Sequence, residues 1–251
     1  MLAGATSPRE LIRAGRAMFD RWPNRWPNRC AVCHAGTRGA AARICNDCLT
    51  RFAPNVPRCE RCALQRPDGV TVCGSCLRNP PPWSRAVVAC DYAYPWDGLL
   101  NALKFHDAID LAAPLAQRLA LALQRRTPSP PAELLLPVPL AAARLRERGY
   151  NQAALLGRQL ARRLGLRTEP QWLLRTSDTP HQTALPRAAR LTNLRGAFAV
   201  EPLALAALRD RHVALVDDVM TTGATAAELT RVLYAAGAAS VQVWVVARTP
   251  D

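Results

Sequence analysis

Eight of the nine cysteines stand in four Cys-x-x-Cys pairs within the first third of the chain. Two thiolates at this spacing lie in one tight turn, and two such turns complete a tetrahedral sulfur cage. Soft thiolates in that geometry suit zinc or an iron–sulfur cluster, and the regular repeat favours two structural zinc sites. We expect the pairs to combine in sequence order, first with second and third with fourth; a cross-braced pairing of first with third is the alternative. The candidate ligands are Cys30, Cys33, Cys45, Cys48, Cys59, Cys62, Cys73 and Cys76.

Disulfide bonds are the competing explanation for these cysteines, and they require an oxidising compartment. The sequence shows no secretory signal peptide and no run of about 18 apolar residues that would span a membrane, which predicts a cytoplasmic location. The segments between the pairs contain few apolar residues, so a metal is needed to fold them. Two zinc ions, each with four thiolates, would lower the formal net charge from +14 to about +10. The ninth cysteine, Cys90, lies among apolar residues and is predicted to be buried in a strand.

A second group of side chains that could bind or react with a ligand follows an apolar run that begins at Val213. Two adjacent carboxylates, Asp217 and Asp218, come directly after this run, and they are followed by a turn rich in threonine and glycine. Backbone N–H groups at the start of a helix, with hydroxyls beside them, form a cradle for an anion. Carboxylates beside a phosphate prefer hydroxyl groups or a divalent metal, and a phosphorylated sugar supplies hydroxyls. The cradle residues are Thr221, Thr222, Gly223, Ala224 and Thr225.

The elements that position this group alternate between strands and helices. The pattern predicts strands at Leu134–Leu136, His212–Val216 and Ser240–Ala247, and helices at Gln152–Leu164 and Thr225–Ala236. Such alternation implies right-handed crossovers and an α/β fold with a mostly parallel sheet. Ligands of these sheets bind beyond the carboxyl ends of the strands, which is where Asp217 and the cradle are placed.

Residues 213–225 resemble the phosphoribosyl-pyrophosphate (PRPP) binding motif of type I phosphoribosyltransferases at every position. Over roughly residues 30–248 the chain is similar to the ComF family of competence-associated, phosphoribosyltransferase-like proteins. Besides the cysteine pairs and the PRPP motif, this resemblance rests on Leu103–Phe105, Pro137–Pro139, Arg148–Gln152 and the series Arg175, Thr179, Gln182, Leu185, Arg190, Asn193, Gly196 and Phe198. It implies a type I phosphoribosyltransferase fold with a hood, preceded by a double zinc ribbon. The expected organisation is a basic amphipathic arm at 1–28, the double zinc ribbon at 29–80 and the phosphoribosyltransferase domain at 85–251.

The resemblance also implies roles for individual residues. Asp217 and Asp218 would contact the ribose hydroxyls, Thr221–Thr225 would hold the 5′-phosphate, and Mg²⁺ would accompany PRPP. The backbone around Val138 would form the loop on the pyrophosphate side, with Arg148 neutralising the pyrophosphate and Arg144 and Arg146 as competitors for that role. The prolines on either side of Val138 predict an extended residue whose own N–H is free to donate. Residues 175–198 are the candidate for part of the hood.

Lys104 is the single lysine among 33 basic residues. A compact ammonium makes point contacts and can shift its pKa on burial, which a guanidinium does not do. We therefore expect Lys104 to act in the site with Asp217 and Asp218, by reaching the pyrophosphate or an incoming nucleophile. The alternative is one lysine surviving by chance on the outer face of an amphipathic helix.

Three functions remain open at this point. The first is a Mg²⁺-dependent phosphoribosyltransferase whose acceptor no residue set identifies. The second, implied by the family name, is a protein that binds single-stranded DNA and helps the uptake machinery to bring it into the cell. The third is a PRPP-sensing regulator without turnover. The excess of 33 basic over 19 acidic residues suits phosphates or nucleic acid, although a general preference for arginine also explains it. The tandem Arg21–Asn24 and Arg25–Asn28 repeat could stack on unpaired bases or pack against its own domain.

Overall fold

The computed structural model describes residues 28–37, 43–125, 130–176, 194 and 196–250. They fall into two compact units, Met1–Cys45 and Asn46–Asp251. Except for Asn28, the expected N-terminal arm with its arginine–tryptophan repeat lies outside the described residues. The domain boundaries given above stay predictions.

The described part of the first unit is a small hairpin. Its strands, β1 (Asn28–Arg29) and β2 (Gly36–Thr37), pair antiparallel. The turn between them carries the first Cys-x-x-Cys: the N–H of Cys30 donates to the carbonyl of Ala35 at 2.8 Å, and the N–H of His34 donates to the carbonyl of Cys30 at 2.9 Å. The turn thus directs both thiols to one side of a very short strand pair.

The second unit contains the remaining elements of the described chain. In chain order they are α1 (Asn46–Phe52), α2 (Gly74–Arg78), β3 (Arg85–Asp91), α3 (Trp96–Phe105), a 3₁₀ turn (Ile109–Leu111), α4 (Ala112–Gln124), β4 (Leu134–Pro137), α5 (Ala142–Arg148), α6 (Gln152–Leu164), β5 (Arg167–Thr168), β6 (Leu173–Arg175), β7 (Phe198–Val200), a second 3₁₀ turn (Pro202–Ala204), α7 (Leu205–Leu208), β8 (His212–Met220), α8 (Ala224–Ala235) and β9 (Ser240–Arg248). None of the helices among the described residues is long and apolar enough to cross a membrane.

Five of these strands form one sheet in the order β3-β9-β8-β4-β5, and every pair in it is parallel. The predicted α/β class with a parallel sheet flanked by helices is confirmed. The predicted end of the β8 strand at Val216 is wrong, because β8 continues to Met220. The neighbouring strand β9 supplies the pairing partners: Asp217 lies opposite Val245, and Met220 lies opposite Arg248. The two carboxylates therefore lie within the last four residues of β8 and do not follow the strand.

Both faces of the sheet are covered, which is why its strands are apolar at nearly every position. On one face, alternate residues such as Leu215 and Val243 pack with α8, β6 and β7 in a single buried cluster. On the other face, α4 packs on β3 and β9 while α6 packs on β4 and β8. Cys90 lies in β3 and is buried, as predicted. The carboxyl edge of the sheet is left as the place where polar groups can meet a ligand.

Candidate functional site

The candidate site lies where the chain reverses its progress across the sheet. From β4 the chain moves outward to β5, whereas from β8 it moves the opposite way to β9. Loops that leave neighbouring parallel strands in opposite directions open a crevice at the carboxyl edge of the sheet. Val138 follows β4 at this crevice, and Asp217 stands beside it near the end of β8.

The Val138 backbone is more constrained than the sequence suggested. Its N–H donates to the carbonyl of Val216 at 2.9 Å, so it is engaged in the sheet and the expectation of a free donor is wrong. The physical reason is that β4 and β8 keep their parallel register through Pro137 opposite Val216, and the next N–H continues the ladder. The carbonyl of Val138 accepts from the side chain of Asn151 at 3.0 Å. The loop is therefore fixed on both sides.

The predicted phosphate cradle lines a cavity of about 290 Å³. Its walls include Val138, Asp217 and all five cradle residues from Thr221 to Thr225. Gly223 has a φ of +79°, the left-handed region that the turn requires, and α8 begins at the next residue. The hydroxyl oxygen of Thr222 accepts from the N–H of Ala224 at 3.3 Å. The arrangement places a twelve-residue helix with its N-terminus at the cavity, a favourable position for an anion.

The two adjacent carboxylates face different surroundings. Asp217 lines the cavity, and one of its oxygens accepts from the N–H of Asp218 at 2.9 Å. Asp218 is only 4% exposed, and one of its oxygens accepts from the N–H of Val219 at 2.7 Å. Burial, together with the charge of Asp218, raises the pKa of the Asp217 carboxyl well above its usual range. A carboxyl in this state gains from a partner that donates hydrogen bonds or brings positive charge.

Lys104 supplies positive charge to this pair from α3. Its ammonium nitrogen lies 2.7 Å from the second oxygen of Asp218, and its side chain is 18% exposed. Burial would lower the pKa of Lys104, but the carboxylates of Asp218 and Asp217 outweigh it and raise the pKa. Lys104 is therefore a fixed cation next to the site, which does not suit the role of a proton acceptor. It does not lie on a solvated outer face of its helix.

The Arg148–Gln152 segment holds the Val138 loop and α3 together. The side-chain oxygen of Asn151 caps α6 by accepting from the N–H of Ala153 at 2.9 Å, while its amide nitrogen bonds Val138 as described above. The hydroxyl of Tyr150 donates to the carbonyl of Leu103, directly before Lys104. Arg148 donates to the side chain of Gln152, and its guanidinium carbon lies 5.1 Å from the ring centre of Phe105. Two segments named from the sequence, Leu103–Phe105 and Arg148–Gln152, thus meet in space.

The competing arginines occupy the helix before this segment. Arg144 forms an i,i+3 pair with Glu147 at 3.9 Å, and Arg146 is exposed. Which of the three arginines meets a pyrophosphate stays a prediction.

The candidate hood is described only at its ends. Thr179, Gln182, Leu185, Arg190 and Asn193 lie outside the described residues. The N–H of Gly196 donates to the carboxylate of Glu228 in α8 at 3.0 Å, and Glu228 also pairs with Arg231 at 2.9 Å. Glu228 therefore anchors the returning end of this segment to the helix that starts at the cradle, a role that its place on an apolar helix face could have indicated.

The cysteines form two clusters of four, in the sequence order predicted: Cys30, Cys33, Cys45 and Cys48, and then Cys59, Cys62, Cys73 and Cys76. In each cluster the sulfur atoms all lie within 4.8 Å of one another. Cys33 and Cys45 have their sulfurs 3.6 Å apart, and Cys62 and Cys73 have theirs 3.7 Å apart. Four sulfurs at a zinc–sulfur distance of about 2.3 Å stand about 3.8 Å apart in a tetrahedron, so both clusters could hold zinc.

The thiols of the second cluster differ strongly in acidity. Burial would raise the pKa of Cys73, but the N–H of Cys76 and neighbouring side chains lower it to about 6. Burial and the neighbouring Cys73 and Cys62 raise the pKa of Cys76. The N–H of Cys73 also donates to the sulfur of Cys59 at 3.4 Å. Four thiolates this close repel one another, so they need a cation at the centre to ionise together.

Sequence reasoning missed two residues beside the cradle, Trp83 and Arg248. Arg248 ends β9, is buried, and donates to four backbone carbonyls. The terminal ring carbon of Trp83 lies 2.8 Å from the point where a Cβ on Gly223 would stand. Two features of the sequence could have drawn attention to them. Arg248 is a charged residue at the end of an almost wholly apolar strand, and Trp83 is a tryptophan that follows three prolines.

Comparison with known proteins gives the family. No protein-family model matches the chain. It is 36% identical over 226 residues to the DNA utilization protein YhgH of Salmonella typhi, covering 89% of this chain and 98% of that protein. It is 34% identical over 227 residues to Competence protein F of Haemophilus influenzae, covering 88% of this chain and 96% of that protein. The chain belongs to the ComF family.

Solved structures similar to this ComF-family chain are more distant. The allosteric regulatory enzyme of purine biosynthesis matches 59% of the chain at 19% identity with a TM-score of 0.39, over 30% of that enzyme's own length. Adenine phosphoribosyltransferase from Leishmania tarentolae matches 66% of the chain at 15% identity with a TM-score of 0.36, over 76% of its length.

Proposed function

We propose that the chain binds PRPP, or a related sugar phosphate, in the crevice between β4 and β8. The observation that supports this most is that Asp217 and the whole Thr221–Thr225 turn line one cavity at the end of parallel strands. Each of these groups alone is common. Together, in one cavity, they offer N–H donors for a phosphate and a carboxylate for hydroxyl groups, which are the two kinds of group that one phosphorylated sugar carries.

The contacts in the site suggest which residue would bind which part of PRPP. The cradle would take the 5′-phosphate, because its amides and hydroxyls lie at the N-terminus of α8. Asp217 would accept from the ribose hydroxyls and is the carboxylate that would hold a Mg²⁺ ion arriving with PRPP. The ion would neutralise charge on the pyrophosphate. Asp218 and Lys104 form an ion pair directly behind Asp217, and we assign to Lys104 a contact with the pyrophosphate side. We assign the far side of the pyrophosphate to Arg148 and the Val138 loop.

With an acceptor present, the same site would transfer phosphoribose. The protein would contribute by positioning the sugar and stabilising the departing pyrophosphate, and the segment at 175–198 would shield the reaction from water. The acceptor has no residue assigned to it. Release of pyrophosphate from PRPP in the presence of a nucleobase, an amine or ammonia would distinguish this activity from binding or sensing alone.

Isothermal titration calorimetry with PRPP and Mg²⁺ tests the proposal. The wild type is expected to bind, and Asp217→Asn is expected to bind about tenfold or more weakly, because it removes a charged acceptor. Asp210→Asn is the matched control: Asp210 is exposed in the turn before β8, and its φ of +59° suits asparagine equally well. No heat of binding with the wild type, or equal affinity for both variants, would contradict the proposal.

A second candidate function is the binding of single-stranded DNA by a factor that helps to bring it into the cell. The names of the two relatives, one for DNA utilization and one for competence, support it. So does the cation–π pair of Arg148 with Phe105, a residue that is 59% exposed and could stack on an unpaired base. Fluorescence anisotropy with a labelled oligonucleotide, repeated at rising salt, tests it. Binding through phosphates should weaken steeply with salt, and no binding at low salt would exclude this role.

A further inference from the structure

One buried arginine connects the second cysteine cluster with the phosphate cradle. Arg248 is 6% exposed, and its Nε donates to the carbonyl of Cys62 at 3.1 Å. Its Nη1 donates to the carbonyl of Met220 at 3.1 Å and to the carbonyl of Thr221, the first cradle residue. One side chain therefore bonds a cysteine of the cluster and the start of the cradle at the same time.

A second contact joins the same two places. The ring of Trp83 lies against Gly223, close enough that a Cβ at Gly223 would stand 2.8 Å from it. The indole N–H of Trp83 donates to the carbonyl of Arg61 at 2.6 Å, and the guanidinium of Arg61 returns a bond to the carbonyl of Trp83 at 3.1 Å. Arg61 and Cys62 both belong to the turn that begins at Cys59. The two contacts to the cradle thus start from one Cys-x-x-Cys turn.

A metal ion would fix the positions of the sulfurs in that turn. Backbone bonds such as the N–H of Ala63 to the carbonyl of Cys59 at 2.9 Å hold the chain of the turn, whereas the apolar cluster at the sulfurs is small: Cys59, Cys73 and Cys76, with Cys62 and Val72 packed beside them. The sulfurs fit one tetrahedral ion, which would hold together four thiolates that otherwise repel one another. Metal binding at the second cluster would therefore fix the direction of the Cys62 carbonyl more tightly.

We propose that Arg248 is a positioning residue through which the metal-bound second cluster holds the cradle in its binding conformation. The inference rests on the proposed function, because it states what that site needs in order to bind a sugar phosphate. The coupling is reciprocal: a ligand that favours the ordered cradle must also favour the metal-bound cluster. Sugar-phosphate affinity and metal retention then rise and fall together.

The first test is hydrogen exchange on the full-length, zinc-loaded protein without any sugar. In Arg248→Gln, the amides of residues 220–225 are expected to exchange about tenfold or more faster, since two bonds to their carbonyls are lost. Arg58→Gln is the matched control. Arg58 is equally buried and ties the same segment to the sheet through the carbonyl of Ala63 at 3.2 Å and Asp91 at 2.7 Å. Unchanged protection in Arg248→Gln, or equal loss in both variants, would overturn the role of Arg248.

The second test uses ribose 5-phosphate as the probe and follows zinc release to a colorimetric chelator. Saturating probe is expected to slow the release of one of the two zinc ions from the wild type, and Arg248→Gln should abolish this slowing. Arg58→Gln should retain it, even if that variant is less stable overall. Probe binding by the wild type with no effect on zinc release would overturn the coupling. Failure of the wild type to bind the probe would instead contradict the proposed function, and the exchange experiment would still decide the role of Arg248.

Discussion

At the scale of single residues, the ion pair between Lys104 and Asp218 differs from an ordinary surface salt bridge. Both side chains are largely buried, and their charged atoms are 2.7 Å apart. A buried pair contributes little net stability, yet removing one partner leaves an uncompensated charge. The pair therefore places two charges next to Asp217 that the fold alone does not need. This agrees with the binding role proposed for the pair.

A comparison of a single with a double variant tests this view of the pair. Lys104→Met is expected to lower the free energy of unfolding by about 3 kcal/mol, because the charge of Asp218 loses its partner. Lys104→Met/Asp218→Asn is expected to recover most of that loss, as measured by urea denaturation. If the double variant were as unstable as Lys104→Met, packing of the lysine stem and not its charge would explain the effect.

Lys104→Arg should weaken PRPP binding, because we expect the larger guanidinium not to fit beside the buried Asp218.

At the scale of elements, the connection from β8 to α8 is the part of the fold that carries the site. The turn needs a left-handed residue at Gly223, and the ring of Trp83 fills the space beside it. The strand before it is held by β4 as far as Val216 and by β9 as far as Met220, so the turn starts from a well-anchored strand. A binding turn on such a support is ordered before its ligand arrives, which lowers the entropic cost of binding.

Gly223→Ala is expected to destabilise the protein and to weaken sugar-phosphate binding. The left-handed φ costs an alanine about 1 to 2 kcal/mol, and the contact with Trp83 adds to this. Gly165→Ala is the control, since Gly165 has a φ of +68° at the end of α6 and nothing within 4 Å of an added Cβ. Thermal unfolding should show a larger loss for Gly223→Ala, and calorimetry should show weaker binding in that variant alone. Equal effects on stability would mean that the Trp83 contact is unimportant.

The ends of some helices and strands could be predicted from the sequence, and the ends of others could not. Helix α6 has the predicted ends, Gln152 and Leu164, because an asparagine cap, an amphipathic face and a glycine stop all act locally. The end of β8 could not be predicted from its own residues, because it is set by the length of β9. The bond from Arg248 to Cys62 joins residues 186 positions apart, and no local pattern indicates it. The residues of the candidate site that line the cavity could be named from the sequence, whereas the contacts that hold them could not.

At the scale of the whole molecule, zinc binding by the cysteines would both stabilise the fold and lower the net charge. Two clusters with the geometry of a tetrahedral ion fit two zinc ions, which would reduce the formal net charge of +14 to about +10. Part of the basic character that suggested nucleic acid is thus offset by the thiolates. The remaining excess still favours anionic ligands, in agreement with a sugar phosphate and with single-stranded DNA.

Metal analysis provides the corresponding prediction. The purified protein is expected to contain about two zinc ions per chain, and Cys73→Ser about one, because the second cluster loses a ligand. Cys90→Ala should keep two, since Cys90 is buried in β3 and donates to the carbonyl of Val246. A zinc content of one or none in the wild type, or an unchanged content in Cys73→Ser, would contradict the two-site assignment.

Sugar-phosphate binding at the cradle is tested most directly by a crystal structure of the zinc-loaded protein with ribose 5-phosphate. We expect the phosphate at the N-terminus of α8, within hydrogen-bonding distance of the amides of Thr221–Thr225, and the ribose hydroxyls at Asp217. A phosphate bound elsewhere, with this cavity left without sugar at saturating concentration, would contradict it.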